Sequence, residues 1–209
     1  MLCGMAFYRE QVVPRLQNRL MDQGDSRAIR ARVCAHLSGD VVEVGFGSGL
    51  NLPYLPAAVR GVWAIDPSVV GRKLSSTRRE RSGVPVVFAG TDAGSLPFAD
   101  DRFDAALSTW TLCTLPDPVR ALQELARVLR PRGTLHFVEH GLSPDERVAR
   151  WQRRGDPLQR RMAGGCRLSR DIPAILDAGG FEVTTVATYY ERAAPKVLGH
   201  MFEGRAVPR

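Results

Sequence analysis

Residues 41–49 read Val-Val-Glu-Val-Gly-Phe-Gly-Ser-Gly, an apolar run of strand character that ends in an acidic residue and three alternating glycines. Glycines at a strand-to-helix turn let the backbone bend tightly and approach a ligand where a Cβ atom would collide. In a nucleotide-binding sheet the ligand lies beyond the carboxyl ends of the strands. We therefore predict a buried first strand over Val41–Val44 and a ligand-binding loop over Gly45–Gly49.

The spacing of these glycines narrows the class of ligand. Dinucleotide-binding proteins favour Gly-x-Gly-x-x-Gly, in which the helix that follows holds a pyrophosphate. Here Gly45, Gly47 and Gly49 alternate, and an acidic residue, Glu43, precedes them. This arrangement suits a nucleoside ligand without phosphates, such as S-adenosylmethionine, and argues against a nicotinamide oxidoreductase.

Two further acidic residues follow the second and third predicted strands. Asp66, with Pro67 after it, stands about 20 residues beyond the glycine loop, where a carboxylate accepts hydrogen bonds from both hydroxyls of a ribose. Asp92 can accept a hydrogen bond from an adenine amino group, while the backbone N–H of Ala93 donates to a ring nitrogen. Each acidic residue has an alternative explanation, Asp66 as a helix cap and Asp92 as a turn residue.

Strand-like and helical segments alternate along the chain, which is typical of a parallel sheet covered by helices on both faces. Besides the first, strands are predicted over Val62–Ile65, Val84–Ala89, Phe103–Ser108, Leu135–Val138, Phe181–Ala187 and Val197–Val207. Helices are predicted over Arg27–Leu37 with Ser26 as the cap, from Asp117-Pro118 to a stop at Arg130-Pro131-Arg132-Gly133, and to Ala178 with Ser169 as the cap. We therefore predict an α/β fold, a Rossmann-like seven-stranded mostly parallel sheet with a C-terminal antiparallel hairpin.

Length and composition agree with one globular domain. The 209 residues are 44% hydrophobic and 24% charged, an ordinary balance. We expect a single domain over 1–209, with an N-terminal helical cap (1–38), a cofactor-binding half (39–141) and a substrate-side half that includes the terminal strand pair (142–209). No secretory-signal layout is present and no apolar run approaches ~20 residues, so we expect a cytoplasmic protein.

The cysteines and the net charge favour no additional function. The cysteines form no Cys-x-x-Cys pair and no histidine stands at ligand spacing, so we expect neither a disulfide framework nor a metal site; they are Cys3, Cys34, Cys113 and Cys166. The net charge of +7 comes almost entirely from arginines, which are densest between Arg147 and Arg170. No RNA-binding motif accompanies them, so we expect solvated helix faces and no nucleic-acid partner.

The order of the motifs resembles the class I methyltransferases that contain the methyltransferase-11 domain. The resemblance covers residues 31–141 and rests on EVGFGSG, AIDPS, TDAGSLPFADDRFDAALS and LARVLRPRGTLHFVEH. Two residues depart from the family pattern, Phe46 between the first two glycines and Arg132 in the turn that is usually Arg-Pro-Gly-Gly. Neither change removes a ligand.

This resemblance implies an S-adenosylmethionine-dependent enzyme and assigns its cofactor contacts. Glu43 and the glycine loop would hold the methionine moiety, Asp66 the ribose, and Asp92 with Ala93 the adenine. Ser108 and Thr109 would lie by the sulfonium. The predicted cofactor-binding residues are Glu43, Gly45, Phe46, Gly47, Gly49, Asn51, Asp66, Pro67, Asp92, Ala93, Ser108 and Thr109.

The methyl acceptor must approach the carboxyl edge of the sheet, because acceptor, methyl group and sulfur have to align with water excluded. Trp110, Cys113 and Arg167 are the candidate substrate contacts. His140 is the candidate general base, with Glu139 as its partner. Structural explanations stay open: Cys113 as a small core thiol, His140 as a hydrogen-bonding bridge, and Arg167 as a tether for the Arg-rich segment.

Three short pieces on the acceptor side are similar to the branch of methyltransferase-like enzymes that methylate thiols of small molecules; they are Leu112-Cys113-Thr114, Val138-Glu139-His140 and GGCRLSRDI. They imply a small, apolar thiol as the acceptor. The alternatives are a quinone, phenol or phospholipid-headgroup methyltransferase and, in another class, a non-catalytic protein that binds the cofactor or RNA.

The amino-terminal stretch raises the question of partners. Eukaryotic members of that branch carry an N-terminal membrane anchor, whereas Met1–Leu20 here is amphipathic. We expect a helix over the active site, with peripheral membrane contact as the alternative. The sequence indicates no obligate protein partner.

Overall fold

A seven-stranded sheet forms the centre of the computed structural model, which describes residues 7–192 and 194–209. The strands are β1 (Gly39–Val44), β2 (Val59–Ile65), β3 (Val86–Gly90), β4 (Phe103–Thr109), β5 (Leu129–His140), β6 (Phe181–Tyr190) and β7 (His200–Pro208). Their order is β3-β2-β1-β4-β5-β7-β6, and β7 pairs antiparallel with both of its neighbours while the pairs among β1–β5 are parallel. This confirms the predicted Rossmann-like fold with its C-terminal antiparallel hairpin.

Helices flank the sheet and connect its parallel strands. A π-helical turn (Tyr8–Val12) leads into α1 (Val13–Leu20), followed by α2 (Gly24–Cys34), α3 (Val69–Leu74), α4 (Ser76–Ser82), α5 (Pro118–Val128), α6 (Glu146–Met162) and α7 (Ile172–Ala178), with a 3-10 turn at Leu52–Tyr54. The first six residues of the predicted N-terminal cap, including Cys3, lie outside the described residues. Within the described ranges, no helix combines the length and apolar character that crossing a bilayer requires.

Two predicted helix starts were wrong, because a different residue caps the first turn. Helix α2 begins at Gly24 with Gln23 in an extended conformation before it, so Ser26 lies inside the first turn. Asp171, and not Ser169, caps α7, since its carboxylate accepts a hydrogen bond from the Ala174 N–H. The predicted start of α5 was right: Pro118 is its first residue.

Strand β5 also begins earlier than the sequence predicts. Residues 130–133 were expected to form a turn after α5, but they belong to the strand, with a register shift against β4 between Phe103 and Ala105. Arg130 holds this extension to β4 through an ion pair with Asp104. Arg132 adopts a φ of +76°, the left-handed conformation that explains the glycine usual at this position in the family.

The core consists of two layers, because successive side chains of a strand point to opposite faces of the sheet. Val42 and Ala106 belong to the layer that packs against α5 and α7. Val41 and Ala105 belong to the layer that packs against α2. The parallel strands β1, β2, β3, β4 and β5 therefore deliver their carboxyl ends to a single edge, where the predicted site residues lie.

Candidate active site

Glu43, on β1 two residues before the glycine loop, is buried with 1% of its surface exposed. Its Oε1 accepts a hydrogen bond of 2.7 Å from Asn51 Nδ2, whereas Oε2 has no hydrogen-bond partner among the described residues. Burial raises the pKa of this carboxyl to about 7, against the opposing effects of Asn51 and of the nearby Arg30. Glu43 is thus a buried acid with one oxygen available to a ligand.

Two other parts of the chain, at Thr111 and at Gly71, pack closely against the glycine loop. Gly45 has φ +74°, and a Cβ atom there would lie 1.9 Å from Thr111 Oγ1. A Cβ atom at Gly71 in α3 would lie 2.7 Å from the carbonyl oxygen of Gly47. At Gly47 itself, with φ +56°, the one neighbour within 4 Å in the described structure would be the Gly45 carbonyl at 3.8 Å. Other parts of the chain therefore pack closely against the loop at Gly45, whereas the space beside the Cα atom of Gly47 is open.

Two other residues of this loop are buried. Phe46 is 3% exposed and packs edge-to-face on Phe88, with ring centroids 5.5 Å apart. The structure thus gives Phe46 a packing role, and its predicted contact with the cofactor stays a prediction. Gly49 has φ +70°, and a Cβ atom there would lie 3.0 Å from Leu52. The conformation of the loop therefore requires glycine at this position too.

Asp66 follows β2 and accepts hydrogen bonds from two backbone N–H groups. Gly47 N–H donates to Oδ2 at 2.7 Å and Ser68 N–H donates to Oδ1 at 2.6 Å. Ser68, and not Asp66, caps α3 by accepting from the Gly71 N–H at 2.9 Å, which removes the helix-cap explanation of Asp66. Burial raises the pKa of Asp66, and exposed Pro67 lies beside it.

The predicted adenine contacts lie in the turn after β3. Asp92 is exposed, and its Oδ1 accepts a hydrogen bond of 2.8 Å from the Gly94 N–H. Ala93 is buried and packs into the core layer of α5. The turn bond that the alternative explanation requires is therefore present, and the adenine contact stays a prediction.

Arg30 of α2 is a site residue that the sequence analysis missed. It is 6% exposed, and its Nη1 donates to Asn51 Oδ1 at 2.6 Å and to Thr109 Oγ1 at 3.2 Å. Its guanidinium lies 4.7 Å from the centroid of the Trp110 ring, a cation–π distance. Burial lowers the pKa of Arg30 to about 10, so it stays charged at neutral pH and links the glycine-loop side of the site to the end of β4.

Trp110 occupies a strained position directly after β4. Its φ is +50°, a conformation that costs a bulky residue free energy and that concentrates at functional sites. The ring is half-buried, its Nε1 has no partner among the described residues, and its centroid lies 6.5 Å from that of His140. The predicted acceptor contact Trp110 and the predicted base His140 are thus neighbours.

Glu139, next to His140 on β5, is completely buried and fixes the loop that follows β4. Its oxygens accept hydrogen bonds from Ser108 Oγ at 2.7 Å and from three backbone N–H groups at 3.0 Å each, those of Thr111, Leu112 and Cys113. Burial raises the pKa of Glu139. These contacts give Glu139 a positioning role on the acceptor side, while its predicted role as partner of a general base stays a prediction.

Cys113, His140 and Cys166 form a compact group on the same side of the site. The two sulfur atoms lie 3.8 Å apart, and Cys166 Sγ lies 3.9 Å from His140 Nδ1. Hydrogen bonds with Cys113 and then His140 lower the pKa of Cys166, and the bond with Cys166 raises that of Cys113. Arg167, half-buried, joins the two loops through its backbone N–H, which donates to the Cys113 carbonyl at 2.9 Å. Sequence spacing could not reveal this group, because its members come from three separate elements.

Comparison with known proteins agrees with this geometry. A family model described as "Methyltransferase domain" matches residues 42–137. The chain is 33% identical over 137 residues to thiol S-methyltransferase TMT1B of Homo sapiens, covering 63% of this chain and 55% of that protein. It is 37% identical over 127 residues to demethylmenaquinone methyltransferase of Mycobacterium sp. (strain JLS), covering 59% and 53%.

A solved structure extends the similarity to the whole fold. A SAM-dependent methyltransferase from Thermotoga maritima superposes with a TM-score of 0.70 at 20% identity, covering 98% of this chain and 99% of that one. Similarity at this level of identity concerns the fold. The chain spans about half the length of the curated relatives that it matches.

Proposed function

We propose, from the match of residues 42–137 to the methyltransferase domain model, that the protein transfers a methyl group from S-adenosylmethionine to a small thiol. The observation that carries the proposal is Glu43, a buried carboxylate beside the glycine loop whose Oε2 has no hydrogen-bond partner among the described residues. A buried hydrogen-bond acceptor without a donor costs free energy. A ligand ammonium group at Oε2 would remove that cost.

The residues present fit the rest of S-adenosylmethionine. Each Asp66 oxygen accepts one backbone N–H, which leaves lone pairs for the two hydroxyls of a ribose. Open space above Gly47 admits the chain that joins the ribose to the methionine moiety. Asp92 and the Ala93 N–H are proposed for the adenine. The cofactor, once bound, supplies a methyl group activated by its sulfonium.

The chain's remaining task is to place an acceptor and exclude water. Thr109 ends β4, Trp110 follows it, and both contact Arg30. Glu139 fixes the backbone of residues 111–113. A thiol loses its proton far more readily than an alcohol, so it depends less on a general base. The similarity to the human thiol methyltransferase supports a thiol as the acceptor.

The test is an acceptor panel. The full chain is incubated with S-adenosylmethionine and small thiols, phenols, quinols or amines, and S-adenosylhomocysteine formation is measured. We expect turnover with apolar thiols and its loss in Glu43→Gln, with Glu80→Gln as the control because Glu80 is exposed on α4. Absence of turnover with every thiol, alongside turnover with another class, would overturn the thiol assignment.

A quinol or phenol acceptor is the second candidate, favoured by the 37% identity to a demethylmenaquinone methyltransferase. This reaction requires a base for the acceptor hydroxyl, and half-buried His140 beside Trp110 is the candidate. His140→Ala would then abolish phenol or quinol methylation and remove its dependence on pH. Activity unchanged by this substitution from pH 6 to 9 would exclude His140 as the base.

A further inference from the structure

Two thiols and an imidazole converge at the acceptor side of the candidate active site. The ligand atoms of Cys113, His140 and Cys166 all lie within 4.8 Å of one another. We propose that these three residues bind a zinc ion whose fourth coordination position takes the acceptor thiol. The inference deepens the proposed function and rests on it for the role of the metal, though not for the existence of the site.

The distances agree with one face of a tetrahedral zinc site. A Zn–S bond of ~2.3 Å and a tetrahedral angle place two thiolate sulfurs ~3.8 Å apart. The observed separation of Cys113 Sγ and Cys166 Sγ is 3.8 Å, and that of Cys166 Sγ and His140 Nδ1 is 3.9 Å. A metal therefore requires little rearrangement. A disulfide, in contrast, requires the sulfurs to approach to ~2.0 Å.

The fold builds this group with specific backbone features. Gly165 adopts φ +103°, and a Cβ atom there would lie 2.8 Å from the Thr114 carbonyl oxygen, so only glycine lets the two cysteine loops approach this closely. The Arg167 N–H then ties the loops by donating to the Cys113 carbonyl. Glu139 fixes the Cys113 backbone from below through the Cys113 N–H, at 3.0 Å.

The group is closed on one side and accessible on another. Cys113 is 0% exposed and Cys166 5%, whereas His140 is half-buried. Across the described residues, no fourth cysteine, histidine or carboxylate joins the three. Three protein ligands with an open fourth position are typical of catalytic zinc sites, and sites with four protein ligands are structural.

The open position explains how a thiol acceptor is selected and prepared. Binding of R–SH forms a Zn–S bond, displaces the zinc-bound water, and releases the thiol proton to solvent. The acceptor is then held as a thiolate, which carries the lone pair that methyl transfer requires. His140 also neighbours Trp110, so the metal site adjoins the end of β4 where the methyl group is expected.

The experiment measures the metal directly. The full chain is purified with a phosphine reductant, loaded with zinc, freed of excess metal, and its zinc content measured by mass spectrometry. We expect about one zinc per chain in the wild type and in Cys34→Ser, and below about 0.1 in Cys113→Ser and Cys166→Ser. Cys34 is the matched control because it is also buried but packs in the core layer of α2, whereas Cys113 and Cys166 pack together in a separate cluster.

Cobalt substitution tests the open position. Cobalt-loaded protein should show sulfur-to-metal charge-transfer absorption that increases when a small thiol is added, an increase absent from Cys166→Ser. A wild type without zinc or charge-transfer absorption, or one that contains a Cys113–Cys166 disulfide in the presence of reductant, would overturn the metal site. Zinc binding with no spectral response to thiols would overturn the acceptor role.

Failure of the proposed function is measured separately. Calorimetric binding of S-adenosylhomocysteine to metal-free wild type tests the cofactor site alone, because its residues are distinct from the three metal ligands. Cofactor binding without zinc binding rejects only the inference. Zinc binding without cofactor binding rejects the proposed function and, with it, the role of the metal in methyl transfer.

Discussion

At the scale of single residues, the fold strongly alters the acidity of Glu43. A carboxylate buried with an unpaired oxygen costs about 1–3 kcal/mol relative to a satisfied one, and here Asn51 and Arg30 compensate only part of the burial. Its folded pKa of about 7 exceeds the ordinary value of 4.5. Between pH 4.5 and about 7, the Glu43 carboxyl is therefore protonated in the folded chain and ionised in the unfolded chain. As a result, the contribution of Glu43 to the free energy of unfolding falls as the pH rises through this range.

Cofactor binding should have the opposite pH dependence, because an ammonium group pairs with the ionised form of Glu43. We expect the affinity of the wild type for S-adenosylhomocysteine to rise up to about tenfold per pH unit from pH 5.5 to pH 7 and then to level off. Glu43→Gln should abolish that slope and weaken binding about 10–100-fold at pH 8. Calorimetric titrations at several pH values measure both effects, and wild-type affinity in Glu43→Gln at pH 8 would contradict them.

Arg30 shows why part of the site escapes sequence reasoning at this scale. An acidic residue followed by alternating glycines identifies Glu43 as a site residue, because few other structures need that pattern. An arginine in an amphipathic helix, however, normally belongs to the solvated face. Arg30 is next to the core residue Ile29 on α2 and is itself buried, and only the tertiary contacts with Asn51 and Trp110 show what it binds.

At the scale of elements, the local sequence pattern predicts the parallel strands but does not predict the irregular segments. Apolar runs in the sequence indicate β1, β2 and β4, and the predicted and observed ranges of these strands overlap. Residues 130–133 contain a proline and a glycine, which predict a turn, yet the Arg130–Asp104 ion pair and pairing with β4 make them a strand. The Cys113–Cys166 contact joins residues 53 positions apart, a separation that no short motif describes.

The C-terminal hairpin of β6 and β7 depends on a glycine in β7. A Cβ atom at Gly204 of β7 would lie 2.1 Å from the Thr185 carbonyl oxygen on β6, beside the register shift between Val183 and Thr185. We expect Gly204→Ala to lower the free energy of unfolding by about 2–3 kcal/mol, because the backbones of the hairpin must separate. Urea unfolding followed by circular dichroism measures the change.

A second glycine, in α6, provides the matched control for the hairpin. Gly155 lies inside α6, and a Cβ atom there would meet no described atom within 4 Å apart from its chain neighbours and the helix backbone. Gly155→Ala should therefore raise the free energy of unfolding by up to about 1 kcal/mol, since alanine reduces the entropy of the unfolded chain. Equal effects of the two substitutions would contradict the packing explanation.

At the scale of the whole molecule, large apolar side chains are exposed on two helices, α6 and α1. Trp151, Leu158 and Met162 of α6 are 62%, 63% and 56% exposed, and Leu16 and Leu20 of α1 are 46% and 56% exposed. We name these five residues the helical patch. The carboxyl end of α6 lies beside the π-helical turn that leads into α1, because Tyr8 Oη donates to the Met162 carbonyl at 3.0 Å. Helix α6 also carries arginines at positions 147, 150, 153, 154, 160 and 161.

Apolar residues beside arginines on a surface helix are typical of proteins that bind the interface of an anionic membrane. We propose that the helical patch makes peripheral contact with such a membrane, where each basic residue near the surface contributes ~1 kcal/mol. The same surface would concentrate apolar thiols near the candidate active site, because such molecules partition into lipid. A role of α1 as a lid over the active site would not explain why apolar residues are exposed on α6. Solvation of the helix faces does not explain the exposure of Leu158 and Met162 either.

Sedimentation with vesicles tests this contact. We expect the full chain to bind vesicles that contain phosphatidylserine and not vesicles of phosphatidylcholine alone, with binding that weakens as salt rises. The double substitution Leu158→Glu with Met162→Glu should reduce binding at least about tenfold, since it removes apolar area and adds repulsion. Val186→Glu is the matched control, because Val186 is 50% exposed on β6, outside the helical patch. Two outcomes would contradict a role of the helical patch in membrane binding. One is vesicle binding that survives the double substitution, and the other is vesicle binding that RNA displaces equally from the wild type and the double variant. Either outcome would show that the arginines act through non-specific electrostatic attraction.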